Sequence, residues 1–570
     1  MVAHHSAKSN NLHIGVSAHL PYLYPDMKTI LLSGLLLASS LAFSQHFEWV
    51  RSGSGIGQDV GQRVTVDAQG NVYTTGNFSG KATFSGTLYT GNGIFDAFIT
   101  KYDAAGNLKW LRSMGGIQSD SGYGIKTDSE GNVYVTGYFS EIAEFRDDAG
   151  RIFHLSSSGN TDIFLAKYDS SGNFIWAKKA GGQQEDQGNN ITIDAQNNLF
   201  LTGYFSDRCY FGSKTAISNG NTDVFIARYD TAGNCVWVQT LGGSGLDKSF
   251  GVAVDSSGSS YITGFFYYSA SLSNSSIVLN CDGLSSDIFV AKYDFAGNNE
   301  WALRIGGPYN DAAFGIAVDR EENFYITGYF LETADFGDFT LDAYGYNDVF
   351  VAKYDSLLEC RWAINDGGVH LDIGLDIGLD NAGNVYVAGT FDSIAFFGNE
   401  TLYSVDYYDL FVAKYNDKGI MQWVRQAGGV FGDFALSLCV QDFDFVYVTG
   451  YYKKIATFGS IESEWGEESD IFVTRISYPV GIDNTLETTP ALLVYPNPSD
   501  GFFSLQFTDD ISDEAVITIL DIHGKEFYRQ KVNATSRTIR LRFDAQSAGI
   551  YFMHVRGEKS AWTERIAILR

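Results

Sequence analysis

Two rows of aspartates are the residues whose type and spacing could do chemistry. One row, Asp96, Asp162, Asp223, Asp287, Asp348, Asp409 and Asp470, opens a recurring Asp-x-Phe block. The other, Asp59, Asp120, Asp186, Asp247, Asp311, Asp372 and Asp433, lies ten residues after a recurring Trp. Carboxylates in this number could form the acid and base of glycoside hydrolysis, hold Ca²⁺ together with carbonyl oxygens, or cap loop backbone N–H groups. A residue needed once per repeat points to the fold, so capping is the expected role. No Asp-x-Asp-x-Asp-Gly loop is present, so no cofactor is expected, and Ca²⁺ is the one metal these acids would suit. His46, His154 and His370 fall in different repeats, and HExxH, Gly-x-Ser-x-Gly and Walker sequences are missing, which leaves no catalytic constellation. The five cysteines contain no CxxC and read as small core residues rather than disulfides or zinc ligands.

Aromatic residues outside the repeat pattern are the candidate binding residues: Tyr267 and Tyr268 in one loop, and Tyr407 and Tyr408 before Asp409. Such side chains can stack on sugar faces or anchor a protein.

The elements that must position these residues come from a seven-fold repeat. A tetrapeptide ending in Gly recurs at Gly76, Gly137, Gly203, Gly264, Gly328, Gly389 and Gly450, and a Trp precedes each by 27 residues. Each copy reads as four strands, A to D, with an Asp-x-x-Gly-Asn turn between A and B. Fixed-period self-similarity of this length indicates a propeller or solenoid. The last copy lacks a D strand and Trp49 lies on an unpaired one, so an N-terminal strand is expected to close a seven-bladed β-propeller over residues 46–476. All length variation lies between strands B and C, with 20 residues from Gly to Asp in five copies, 25 in the second and 23 in the fourth. Loops 138–161 and 265–286 are therefore the expected partner surface, on the face that also carries both aspartate rows.

Composition agrees. The chain has 570 residues, 62 Gly, 15% aromatics and 7 Pro, too apolar for disorder and rich in turn and strand formers. Residues 491–570 hold ten acids and ten bases and residues 1–45 carry +1, so residues 46–490, with the repeats, carry −29 against the net −28 of the chain. That acidity excludes nucleic acid and anionic membrane surfaces as partners.

Residues 27–44 read as a signal peptide: Lys28, an apolar run to Phe43, and cleavage between Ser44 and Gln45. Residues 1–26 read as an over-extended gene start. The mature chain offers no transmembrane segment. After a linker at 477–490, residues 491–570 change composition and suggest seven short strands in a small Ig-like β-sandwich.

Two resemblances follow from these residues. The Asp-x-x-Gly-Asn-x-Tyr-x-Thr-Gly and Asp-x-Phe-x-Ala-Lys-Tyr-Asp blocks resemble the bacterial SBBP propeller repeats, which implies a fold and no reaction. Tyr495-Pro496-Asn497-Pro498, Gly501-Phe502, Gly524-Lys525 and Gly549-Ile550-Tyr551 resemble the C-terminal sorting domain of type IX secretion in Bacteroidetes. That resemblance implies a partner, the type IX secretion machinery, and delivery to the outer cell surface or the medium. The expectation is an all-β secreted or cell-surface binding or adhesion protein with an unidentified glycan or protein ligand. The competing expectation is a polysaccharide-active enzyme using carboxylates on the propeller face.

Overall fold

The computed structural model describes residues 46–146, 150–441, 445–466 and 468–477, and in the C-terminal part 492–495, 502–507, 514–521, 525–533, 538–543, 549–556 and 561–568. Among them every element is a β-strand. The chain divides into two compact units, Met1–Pro479 and Val480–Arg570.

In the first unit each repeat is a four-stranded antiparallel meander. The first repeat has A Val60–Val66, B Val72–Phe78, C Asp96–Tyr102 and D Leu108–Met114, hydrogen-bonded in that order. The turns explain the repeated signature. Asp67 Oδ1 accepts the backbone N–H groups of Gln69 and Asn71 at 3.0 and 2.9 Å, and its Oδ2 accepts from Asn71 Nδ2 at 2.8 Å and the Tyr73 hydroxyl at 2.9 Å. The Asx geometry recurs in the C–D turn at Asp103 and Asn107. The recurring C-strand Lys covers the B-strand Tyr, with Lys101 5.0 Å from the Tyr73 ring and Lys414 4.8 Å from the Tyr386 ring.

The recurring Trp joins neighbouring repeats. Trp49 Nε1 donates to the Ala104 carbonyl of the next C–D turn at 3.3 Å. Gly106, at φ 78°, lies so near the Trp49 ring that a Cβ there would sit 2.8 Å from it; only glycine fits.

The A strands of successive repeats pack side by side, and that of the first packs on that of the seventh, Phe434–Gln441. The seventh repeat takes its fourth strand from the other end of the unit: His46–Gly55 runs antiparallel to Ser469–Ser477, from His46 opposite Ser477 to Gly53 opposite Ile471.

The B–C connections are not open loops. Each forms a hairpin that folds back on the D strand of the preceding repeat. Phe211 and Tyr210 pair with Ala180 and Gly181, Leu272 and Ser271 with Leu241 and Gly242, and the first hairpin pairs with the N-terminal strand, Phe84 opposite Gly53. A hairpin Phe pins the latch against the C-strand Phe in six repeats, as in Phe211–Phe225 at 4.9 Å and Phe397–Phe411 at 4.6 Å between ring centroids, all four of these rings fully buried, and Leu272 takes that place in the fourth.

In the C-terminal unit, Leu492–Tyr495, Phe502–Phe507 and Thr538–Arg542 form one sheet, and Glu526–Asn533, Glu514–Asp521, Gly549–Arg556 and Ala561–Ile568 another. Phe503, Leu505 and Leu541 of the first share a buried cluster with Ile517, Ile519, Met553 and Ile566 of the second.

Candidate functional site

The fourteen recurring aspartates are all buried, each at most 1% exposed. They meet in pairs at the junctions between repeats. In the second row, Asp120 Oδ2 accepts the Gly116 N–H at 2.7 Å and Oδ1 the Ser140 N–H at 3.1 Å. Asp186, Asp247, Asp311, Asp372 and Asp433 repeat this bridge from the end of a D strand to the start of a B–C hairpin. Asp59 accepts from Ser79.

Residues of the first row cap the loop just before them. Asp96 accepts from Asn92 and Gly93, Asp162 from Ser158, Asp223 from Asn219, Asp287 from Asp282, and Asp348 from Tyr344. Asp409 accepts from Gln426 Nε2 and Asp470 from the Gly55 N–H.

The two rows converge on one glycine. A Cβ on Gly115, whose φ of 152° already favours glycine, would lie 2.7 Å from Asp120 Oδ2 and 2.8 Å from Asp96 Oδ1. At six of the seven junctions carboxylate oxygens are buried without a hydrogen-bond partner: one each on Asp162, Asp223, Asp287, Asp348 and Asp409, and one on both Asp59 and Asp470 where the first and seventh repeats meet. Burial, together with the like charge of the neighbouring aspartate, pushes Asp120, Asp186 and Asp372 up to about 7 and Asp59 and Asp433 up to about 8. Two junctions carry a cation of their own: Lys179 Nζ lies 3.2 Å from Asp162, and Arg304 Nε 2.5 Å from Asp287.

This geometry separates the chemistries the acids could perform. Buried carboxylates that receive backbone N–H groups staple the chain. They are closed to a polysaccharide, so the recurring rows do not supply the exposed acid pair that glycoside hydrolysis needs. Among the described residues no cluster of three His, Cys, Asp or Glu could hold a metal. The five cysteines are all unpaired thiols.

The long B–C connections at 138–161 and 265–286, expected as the partner surface, carry hairpins. In the fourth repeat the extra length extends the latch along the D strand of the preceding repeat: Ser273 exchanges hydrogen bonds with Thr240 at 2.9 and 2.8 Å, and Asn274 Nδ2 reaches Gln239 Oε1 at 3.1 Å. The antiparallel ladder rewards a longer hairpin with more pairing along the D strand.

The candidate tyrosines divide between two environments. Tyr268 and Tyr407 are exposed. Tyr267 packs edge-on against Phe265 at 5.9 Å, and Tyr408 against Phe434 at 5.4 Å. Phe265 and Phe434 belong to a half-buried aromatic crown, formed by A-strand residues Tyr123, Phe250, Phe314 and Phe434 against the residue after the recurring Thr-Gly: Tyr138, Phe265, Tyr329 and Tyr451. The alternation of that position with the fully buried aromatic beside it was the signal in the sequence.

The loop just before the C-strand Asp holds the clearest departure from the repeat. There residues 343–346 and 404–407 have no partner on the B strand. The first four repeats place Asn92-Gly93, Ser158-Gly159, Asn219-Gly220 and Asp282-Gly283 in this loop. The fifth has Tyr344 and Tyr346, the sixth Val405 and Tyr407, and the seventh Trp465, all more than half exposed. Tyr344 contacts Phe396 of the sixth repeat edge-on at 5.9 Å, which brings exposed rings of two repeats together. Tyr403, 63% exposed, lies beside it on the sixth repeat.

In the C-terminal unit, Gly549 begins a strand and Tyr551 is buried, while Tyr495 ends one. Pro496, Asn497, Pro498, Gly501 and Gly524 lie outside the described residues, as do Ser44 and Gln45.

An all-β chain of recurring meanders joined by buried staples defines the class, a repeat protein of propeller type. Residues 109–138 and 300–329 match the family model described as a beta-propeller repeat. Residues 493–569 match the secretion system C-terminal sorting domain, which marks a secreted or cell-surface protein recognised by the type IX secretion machinery. The chain is 24% identical over 462 residues to an uncharacterized WD repeat-containing protein, L264, of Acanthamoeba polyphaga mimivirus, covering 65% of this chain and 33% of that protein. It is 27% identical over 204 residues to the regulatory protein FlaEY of Caulobacter vibrioides, covering 34% and 21%. The chain thus spans a third or less of these relatives. Among the described residues no helix is long and apolar enough to cross a membrane.

Proposed function

We propose that the protein is a surface-displayed or released binding protein, an adhesin, built as a closed seven-bladed propeller followed by an Ig-like sorting sandwich. In this reading residues 27–44 direct export, cleavage before Gln45 frees the strand that closes the ring, and residues 491–570 deliver the propeller to the outer surface. The observation that carries the binding role is the exposed aromatic patch of the fifth and sixth repeats, in the loop where the first four copies carry Asn-Gly, Ser-Gly or Asp-Gly. A rigid scaffold whose connecting loops differ from copy to copy is the usual arrangement of a binding protein.

The test is an array of glycans and matrix proteins probed with the full chain, run beside an assay for reducing ends released from the same glycans. Saturable binding without sugar release supports the reading. Release of reducing ends, abolished by substituting one exposed carboxylate, overturns it in favour of a hydrolase.

A further inference from the structure

We infer that the exposed patch formed by Tyr344, Tyr346, Phe396, Tyr403 and Tyr407 is a binding site for a neutral polysaccharide. The inference rests on the binding role proposed above and names its ligand class. Three observations carry it.

The rings are exposed, yet set in place by structure rather than left on loose loops. Tyr344 donates its backbone N–H to the buried Asp348 at 2.7 Å and touches Phe396. Gln426 Nε2 holds the Tyr403 carbonyl at 2.7 Å, and the Tyr408 carbonyl accepts the Asp433 N–H at 2.8 Å. Ordered aromatic faces lose little entropy on binding.

The patch is also mixed in character. Asp342 lies two residues before Tyr344 and Asp406 next to Tyr407, and both acids are exposed. A pyranose presents C–H faces that stack on aromatic rings and hydroxyls that donate to carboxylates.

Charge narrows the ligand further. The chain carries a net −28, and Asp342 and Asp406 share the loops of Tyr344 and Tyr407. Uronate-bearing or sulfated glycans would meet like charge, and a neutral chain would not.

Affinity electrophoresis of the full chain in native gels tests this, with hydroxyethyl cellulose and galactomannan as neutral polymers and alginate as the anionic one. Retardation by at least one neutral polymer and none by alginate is expected. The triple variant Tyr346→Ala, Tyr403→Ala, Tyr407→Ala should lose at least tenfold in apparent affinity, while Tyr210→Ala, an exposed tyrosine on the flank of the third repeat's hairpin, should leave it unchanged. All substituted side chains are exposed, so thermal melting should confirm that the variants fold. Mobility unaffected by both neutral polymers, or retardation retained in the triple variant, overturns the inference. Protein ligands found on the array without any glycan would overturn it too and leave the binding role standing.

Discussion

Arg63 of the first repeat and Asp376 of the sixth form an ion pair, with Nη1 3.0 Å from Oδ2, across the A strand of the seventh repeat. Ser437 of that intervening strand donates its hydroxyl to the same Asp376 oxygen at 2.8 Å, and the Leu438 N–H donates at 3.0 Å. The first repeat is thus tied at the inner strands to the sixth and seventh, more than 300 residues away in sequence. Arg63→Ala removes one partner from a largely buried pair and should cost about 2–4 kcal/mol, read as a fall in urea midpoint. Arg63→Ala with Asp376→Asn should recover part of the loss.

Folding should weaken as pH rises past neutrality. All fourteen recurring aspartates are pushed above the ordinary carboxylate value, chiefly by burial, with Asp247 and Asp348 reaching about 6 and Asp223 about 7. The folded state therefore holds protons that the unfolded chain has released. The stabilisation is complete below about pH 4 and is lost as pH climbs through 6 to 8. The turn acids Asp103, Asp169, Asp230 and Asp294 run the other way. Burial opposes it, but hydrogen bonds from the turn asparagines outweigh burial and hold these acids low, so their contribution is lost as pH falls below about 4. The melting temperature should peak in mildly acidic buffer and be lower at pH 8.5 than at pH 5.5.

Asp223→Asn separates the proton from the shape. An amide supplies a donor toward the neighbouring Asp247 and keeps an acceptor for the Asn219 N–H. The variant should melt higher than the parent at pH 8.5 and close to it at pH 5.5. Asp223→Ala should melt lower at both, by about 1–3 kcal/mol for the unsatisfied N–H.

The latch hairpins should contribute as much as a core strand. Phe211→Ala empties a fully buried site against Phe225 and should cost about 3–5 kcal/mol. Hydrogen exchange should then speed up in the D strand Phe174–Gly181 to which that hairpin pairs. Exchange unchanged in that strand would show the latch to be dispensable.

Deleting residues 46–55 removes the strand paired with Ser469–Ser477 and exposes a long edge. Loss of a single cooperative transition, with concentration-dependent association, is the expected outcome in calorimetry and light scattering.

Treatment with EDTA should leave the melting temperature within about 1 °C, because backbone N–H groups, not carbonyl oxygens, meet the recurring carboxylates. A drop of several degrees, restored by Ca²⁺, would instead place a cation at the Asp pairs.

The period, the strands and the turns were legible in the sequence because they rest on local chemistry repeated seven times. An Asx turn needs only Asp67 and its next few residues, and the alternation of a strand is read directly from apolar spacing. The motifs of residues 493–569 were legible for the same reason. What only the tertiary structure decided involves contacts between repeats. Asp96 and Asp120 are recognisable in the sequence, yet their burial against one glycine depends on how one repeat seats on the next. The direction of the B–C hairpins follows from hydrogen bonds to a D strand of another repeat, which no local pattern encodes. Tyr344 and Phe396 become one surface for the same reason: two residues from neighbouring repeats meet only once packing has fixed the angle between them.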